Sequence, residues 1–266
     1  MRCIYRERII ECGDYLEVDI FPVYKQSGKG RKKRAKPTSE TQSNLNQRNA
    51  ERELIRLLHA NFTDQDIVIA LTYREDVHPD TYDQALRDVN NFLRRVKRLR
   101  NKLSLSQLKY ILVPGGKKRC HFHIAMSGGI DRTTLEKMWG FGYANTRQLQ
   151  FDENGVTGLG CYIGRQFKDE ETQVDEREKN QKRYFTSRNL IRPEGRERDG
   201  RISRRRVEEL ATIDIENRGV FEKLYRGYNL VSSRGYYNEV NGEYYLALRM
   251  VKNDTKFSNS KMRKRW

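Results

Sequence analysis

The chain has 266 residues, 36% of them apolar, enough for a substantial core and a smaller appendage, which excludes a peptide hormone or a disulfide-stapled mini-protein. Fifty-three Lys and Arg against 36 Asp and Glu leave a formal charge of +17, so a polyanion is the expected partner, nucleic acid first and an anionic membrane surface second. No apolar run approaches the roughly 18 residues of a membrane span, the first eight residues lack the apolar stretch of a secretory signal, and Cys3, Cys12, Cys120 and Cys161 form no CxxC pair. A soluble, cytoplasmic protein with reduced thiols and no membrane partner is expected.

No internal repeat is present. Short alternation of polar and apolar residues over 15–24 predicts β-structure. Residues 29–36 then carry six basic residues in eight, among them Lys32, Lys33 and Arg34, beside Gly28 and Gly30. They read as a flexible arm that either tracks phosphates or is simply solvated. Leu54, Leu57, Leu58 and Phe62 at helical spacing predict a helix over 39–61, and the β-branched run over 66–73 predicts a central strand. A second helix follows Pro79 and Asp80, with Tyr82, Ala85, Leu86, Val89, Phe92, Leu93, Val96 and Leu99 on one side and Arg94, Arg95, Lys97, Arg98, Arg100 and Lys102 loading the other. Those cations also suit the helix dipole.

Residues 108–113 and 119–126 read as two strands of a hairpin joined by a Gly-bearing turn, with Arg119 at the start of the second. Asp131 caps a short helix carrying Leu135, Met138 and Trp139, a strand follows over 143–151, and 156–168 is helical again. Six acids over 169–178 predict an exposed segment. The Arg-rich stretch 196–206 has few apolar residues and reads as irregular. Tyr236 to Val240 and Glu243 to Met250 flank Asn241-Gly242, a strong hairpin signal, and the basic tail 261–266 is expected to fray.

Two of the four histidines, His121 and His123, occupy one strand. A period of two puts both imidazoles on one face and Phe122 on the other. Same-face neighbours lie about 7 Å apart at Cα, a span one metal ion with bonds of about 2 Å to each ring can bridge. The competing reading is an ordinary half-exposed strand with polar alternate positions. His59 and His78 read as surface or capping residues. Downstream, Tyr162, Arg165, Gln166 and Asp169 fall at i, i+3, i+4 and i+7, one polar helical stripe, while Ile163 and Phe167 turn inward. A nucleophilic tyrosine needs its phenol aligned on phosphorus and a nearby cation to stabilise the transition state; with 15 tyrosines in the chain, spacing alone does not single out Tyr162.

Taken in order, Leu71-Thr72-Tyr73 at a strand end, His121-Phe122-His123, and Tyr162-x-x-Arg165 on a later helix resemble the rolling-circle replication initiators of the HUH endonuclease superfamily. Asn61-Phe62, Trp139-x-x-Gly142 and residues 183–188 are similar as well, so the resemblance covers about residues 40–190. It implies that His121 and His123 hold Mg2+ or Mn2+ on a scissile phosphate of single-stranded or hairpin origin DNA. It implies further that Tyr162 attacks to leave a 5′-phosphotyrosine and a free 3′-OH, and that Arg165 stands where a lysine is usual. Members of that family often carry a glutamate before the hairpin turn; Val113-Pro114 stands there in this chain, which leaves Glu75, Asp76 or Gln166 as the third ligand. Tyr184 is the reserve nucleophile, in a setting that reads as a packed strand.

The expected fold is α+β, a central antiparallel sheet with helices mainly on one face, over 40–190. An N-terminal segment 1–39 of strands and basic arm, and a C-terminal segment 191–266 with Arg-rich stretch and hairpin, complete it. Arg119, the cluster Arg94, Arg95, Lys97 and Arg98, and the arm with Lys32, Lys33 and Arg34 are the expected DNA contacts. The sequence contains no GxxxxGK[ST] loop, so a host helicase is the expected partner for unwinding and a host polymerase for synthesis. A transposase or mobilisation relaxase of the same superfamily, and a non-catalytic basic binder with incidental histidines, are the alternatives.

Overall fold

The computed structural model describes residues 3–24, 40–116, 120–152, 155–164 and 183–253, with the backbone alone for 40–44 and 162–164. The fold is α+β and divides into two compact units, each built on a five-stranded antiparallel sheet. The basic arm with Lys32, Lys33 and Arg34, Arg119, Arg165, Gln166, the acidic stretch 169–178 and the tail 261–266 lie outside the described residues.

One unit draws on both ends of the chain. Strands β1 (Cys3–Cys12) and β2 (Tyr15–Tyr24) form a hairpin, and β8 (Gly195–Asp199), β9 (Tyr228–Asn238) and β10 (Glu243–Lys252) complete the sheet in the order β8-β1-β2-β10-β9. Helices α5 (Arg204–Thr212) and α6 (Arg218–Leu224) cover one face through Val207, Leu210 and Phe221, packed on Leu16, Val18, Ile20, Leu246 and Leu248. The Arg-rich stretch expected to be irregular is therefore ordered: it supplies β8 and the start of α5. Strand β8 is an exposed edge that buries no side chain, so it leaves no apolar signal in the sequence. Charge pairing fixes it instead, with Arg6 donating to Asp199 at 2.7 Å and Arg196 to Glu11 at 2.6 Å. Further along, Arg201 donates to Glu7 at 2.7 Å, Arg204 lies 3.1 Å from Glu243, and Arg206 meets Glu209 and Asp214 at 3.0 Å each.

The other unit holds α1 (Glu40–Asn61), β3 (Ile67–Thr72), α2 (Tyr82–Lys102), β4 (Tyr110–Gly115), β5 (His121–Met126), α3 (Arg132–Trp139), β6 (Ala144–Gln148), α4 (Thr157–Gly164) and β7 (Phe185–Thr186), with strand order β6-β3-β5-β4-β7. Thr81 caps α2 by accepting from the Gln84 amide at 3.2 Å, and Asp131 caps α3 by accepting from Thr134 at 2.8 Å. Gly140, at φ +77°, ends α3 in the left-handed conformation.

Both faces of this sheet are covered, where helices mainly on one face were expected. Phe122, Ile124 and Met126 of β5 pack with Val89, Phe92 and Val96 of α2 and with Leu135 and Trp139 of α3. On the opposite face, Ala125 joins Ile111 and Val113 of β4 under Leu54, Leu57, Leu58 and Phe62 of α1, with Leu159 of α4 against the same cluster. Strands apolar on both sides, such as β3 and β4, require cover on both. One cation expected on the solvent side of α2 turns inward: Arg100 is 2% exposed and donates to the carbonyls of Ser106, Ser127 and Gly128, tying α2 to the end of β5.

Candidate active site

Strand β5 runs between β3 and β4, and its register places His121 opposite Thr72 and Gly115, and His123 opposite Ala70 and Val113. The two imidazoles stand with ring centres 5.2 Å apart and planes perpendicular. That spacing is within the span of a single divalent ion bonded to a nitrogen of each ring at about 2 Å. His123 is 7% exposed, and burial, with the neighbouring His121 second, pushes its pKa down to about 4. Its imidazole is thus neutral at physiological pH, the protonation state a metal ligand requires.

The strand is held at both ends. His78, expected at the surface or as a helix cap, instead accepts a hydrogen bond from the Cys120 amide at 3.2 Å, fixing the residue that precedes His121; the α2 cap is Thr81. Across the sheet, Trp139 Nε1 donates to the Thr72 carbonyl at 2.8 Å, and a Cβ on Gly142 would fall 2.4 Å from that same oxygen. The Trp139-x-x-Gly142 pattern therefore clamps the end of β3 that pairs with His121. Asn145 of β6 sits opposite Ala70, in one cross-strand row with His123, an exposed polar residue that sequence reading did not single out. Only the register, absent from the sequence, reveals it.

The helix bearing Tyr162 lies on the histidine face. Gly160 of α4 meets Ile55 of α1 so closely that a Cβ would lie 2.6 Å from Ile55 Cγ1. One turn earlier Thr157 Oγ1 is 3.2 Å from His59 Nε2, so His59 too is a packing residue rather than a surface one. Tyr162 occupies the last turn of α4, and its backbone alone is described. Tyr184, the reserve nucleophile, packs against the α1 cluster next to β7.

The third ligand is not assembled. Glu75 and Asp76 form the exposed 3-10 turn Glu75–Val77, where Asp76 pairs with Arg74 at 3.3 Å, and among the described residues no three His, Cys, Asp or Glu side chains converge on a metal-sized point. The donors present fit a divalent ion through two imidazoles, with its remaining positions left to other oxygens. Nor does the structure bring the α2 cations to the histidines. Arg94, Arg95, Lys97 and Arg98 are exposed on the helix that covers the Phe122 face, and Arg95 donates to the Met138 carbonyl at 2.7 Å.

Residues 66–166, from the start of β3 to beyond α4, match the family model for replication-associated proteins of the ORF2 type. The matched stretch is less than half of the chain and contains both histidines and Tyr162. No curated protein and no solved structure matches the chain. Among the described residues no helix is long and apolar enough to cross a membrane.

Proposed function

We propose that the protein is a replication initiator that nicks and rejoins single-stranded DNA through a phosphotyrosine on Tyr162. The observation that carries this reading is the placement of His121 and His123 on one sheet face under the helix bearing Tyr162, within the segment similar to replication-associated proteins. His121 and His123 would hold Mg2+ or Mn2+ with neutral imidazoles, and Glu75, Asp76 or Gln166 remains available as a further donor. When bound, the ion supplies positive charge to the non-bridging oxygens of a scissile phosphate.

Tyr162 gives up its phenolic proton and its oxygen attacks phosphorus; the new O–P bond forms as the bond to the 3′ oxygen breaks, and that oxygen leaves as a 3′-OH after taking a proton. Arg165, three residues on, stabilises the charge of the transition state. Because the phosphodiester energy stays in the tyrosyl bond, a later attack by a 3′-OH rejoins a strand without a nucleotide cofactor. The freed 3′-OH primes a host polymerase, with a host helicase separating strands.

Purified protein with Mn2+ should nick a single-stranded origin oligonucleotide, and a His121→Ala, His123→Ala double variant should lose nicking while retaining DNA binding. Unimpaired nicking by the double variant contradicts the metal site.

A further inference from the structure

On the sheet face opposite the histidines, α2 and the β4–β7 edge enclose an open cleft of about 550 Å³. One wall is a helical stripe: Asn90, Leu93, Arg94 and Lys97 fall at i, i+3, i+4 and i+7 and so share one side of α2. The other wall carries Arg188 between two anchored neighbours. Ser187 donates its amide to the Tyr110 carbonyl and accepts the Tyr110 amide on its hydroxyl, each at 3.0 Å, and Asn189 donates to the Leu108 carbonyl at 3.3 Å. Between the walls lies an apolar floor that includes Leu93, Leu108 and the half-buried Tyr110.

The charges in this cleft differ from those elsewhere in the chain. The arginines of 196–206 are spent largely on carboxylates, whereas among the described residues Arg94, Lys97 and Arg188 are paired with none. Three exposed cations around an aromatic and apolar floor match an unpaired nucleotide, with phosphates on the rim and a base against the floor. A duplex keeps its bases stacked and offers such a floor nothing.

We infer that this cleft is a second DNA site, which holds single-stranded DNA away from the His121–His123 face. The inference takes from the proposed function only that the ligand is DNA. Binding is measured by fluorescence anisotropy in EDTA, where metal-dependent nicking cannot occur, on a labelled single strand of about 30 nucleotides. An Arg94→Glu, Lys97→Glu, Arg188→Glu variant should bind on the order of 10-fold or more weakly, with the slope of log affinity against log salt reduced by about 2. An Arg87→Glu, Arg98→Glu, Lys102→Glu variant makes the same charge change on exposed positions outside the cleft and should lose much less. An unfolding profile matching wild type for both variants keeps the comparison valid, and the single substitution Lys97→Gln, with an expected loss of a few-fold, replaces any variant that fails to fold. Equal losses in the two triple variants would overturn the cleft as a site, and duplex DNA competing as well as the single strand would overturn its strand preference. A protein that binds through the cleft but forms no nick overturns the nicking reading alone.

Discussion

Gly160 of α4 and Ile55 of α1 approach so closely that no side chain fits between them, with 2.6 Å separating a Cβ at 160 from Ile55 Cγ1. Ile55 is 2% exposed and β-branched, so it cannot swing aside. The contact fixes how the Tyr162 helix seats on the face that carries the histidines. Gly160→Ala should cost about 1–3 kcal/mol by overpacking, and Ile55→Ala should cost about 2–4 kcal/mol by leaving a cavity. Combined, they should cost less than the sum, since the second removes the atom that the first strikes. A double-mutant cycle in urea checks this, and strictly additive values would contradict the close approach.

At the other end of the site, His78 accepts the Cys120 amide beside His121. His78→Ala leaves that amide, on a residue 7% exposed, without its acceptor, at an expected cost of about 1–3 kcal/mol. The lost restraint also loosens the start of β5, so metal-dependent nicking should fall. His78→Gln, which retains an acceptor, should recover part of both. Chemical denaturation and a nicking time course on the same variants read the two effects separately.

Arg201 serves the fold and not a polyanion. It donates twice to Glu7, which is 1% exposed and also accepts from Tyr225 Oη at 2.6 Å. Burial, then the Glu7 hydrogen bond, hold the Tyr225 phenol far above its ordinary pKa, so it remains a donor. Arg201→Met strands a buried carboxylate and should destabilise by roughly 2–4 kcal/mol, with little change in oligonucleotide affinity. Thermal melts and anisotropy would contradict this if affinity fell while stability held.

His123 should give the stability profile a dependence on acid. Its folded pKa, about 4, lies below the ordinary histidine value of about 6.5, so between the two the unfolded chain binds the extra proton. The neutral imidazole's contribution is full above about pH 6.5 and is lost as pH falls toward 4, on the order of 1–3 kcal/mol in all. His123→Phe should flatten that part of the curve measured by urea unfolding without added metal. An unchanged slope would contradict the buried, neutral state.

Much of the second unit is legible from local pattern. The β-branched run of β3, the apolar stripe of α2, and the Thr81 and Asp131 caps each leave a signal within one or two turns, and the alternation of β5 alone puts His121 and His123 on one face. What stays hidden depends on contacts between distant residues. Strand β8 carries no apolar residue and is held by Arg6 and Glu11 from the far end of the chain, so nothing near it in sequence marks it as a strand. Arg100 is indistinguishable in sequence from Arg98, and only the carbonyls of Ser127 and Gly128 at the end of β5 make it internal. The α2 cations sit on the opposite face from the histidines because helix order does not say which side of a sheet each helix takes.

The central claim is that Tyr162 becomes covalently joined to DNA. The direct measurement is mass spectrometry of the peptide–nucleotide adduct after incubating the protein with Mn2+ and a single-stranded origin oligonucleotide, followed by nuclease and protease digestion. The account predicts a phosphonucleotide on Tyr162, absent in Tyr162→Phe and in the His121→Ala, His123→Ala variant. An adduct on Tyr184 or another residue, or one undiminished in Tyr162→Phe, would contradict it.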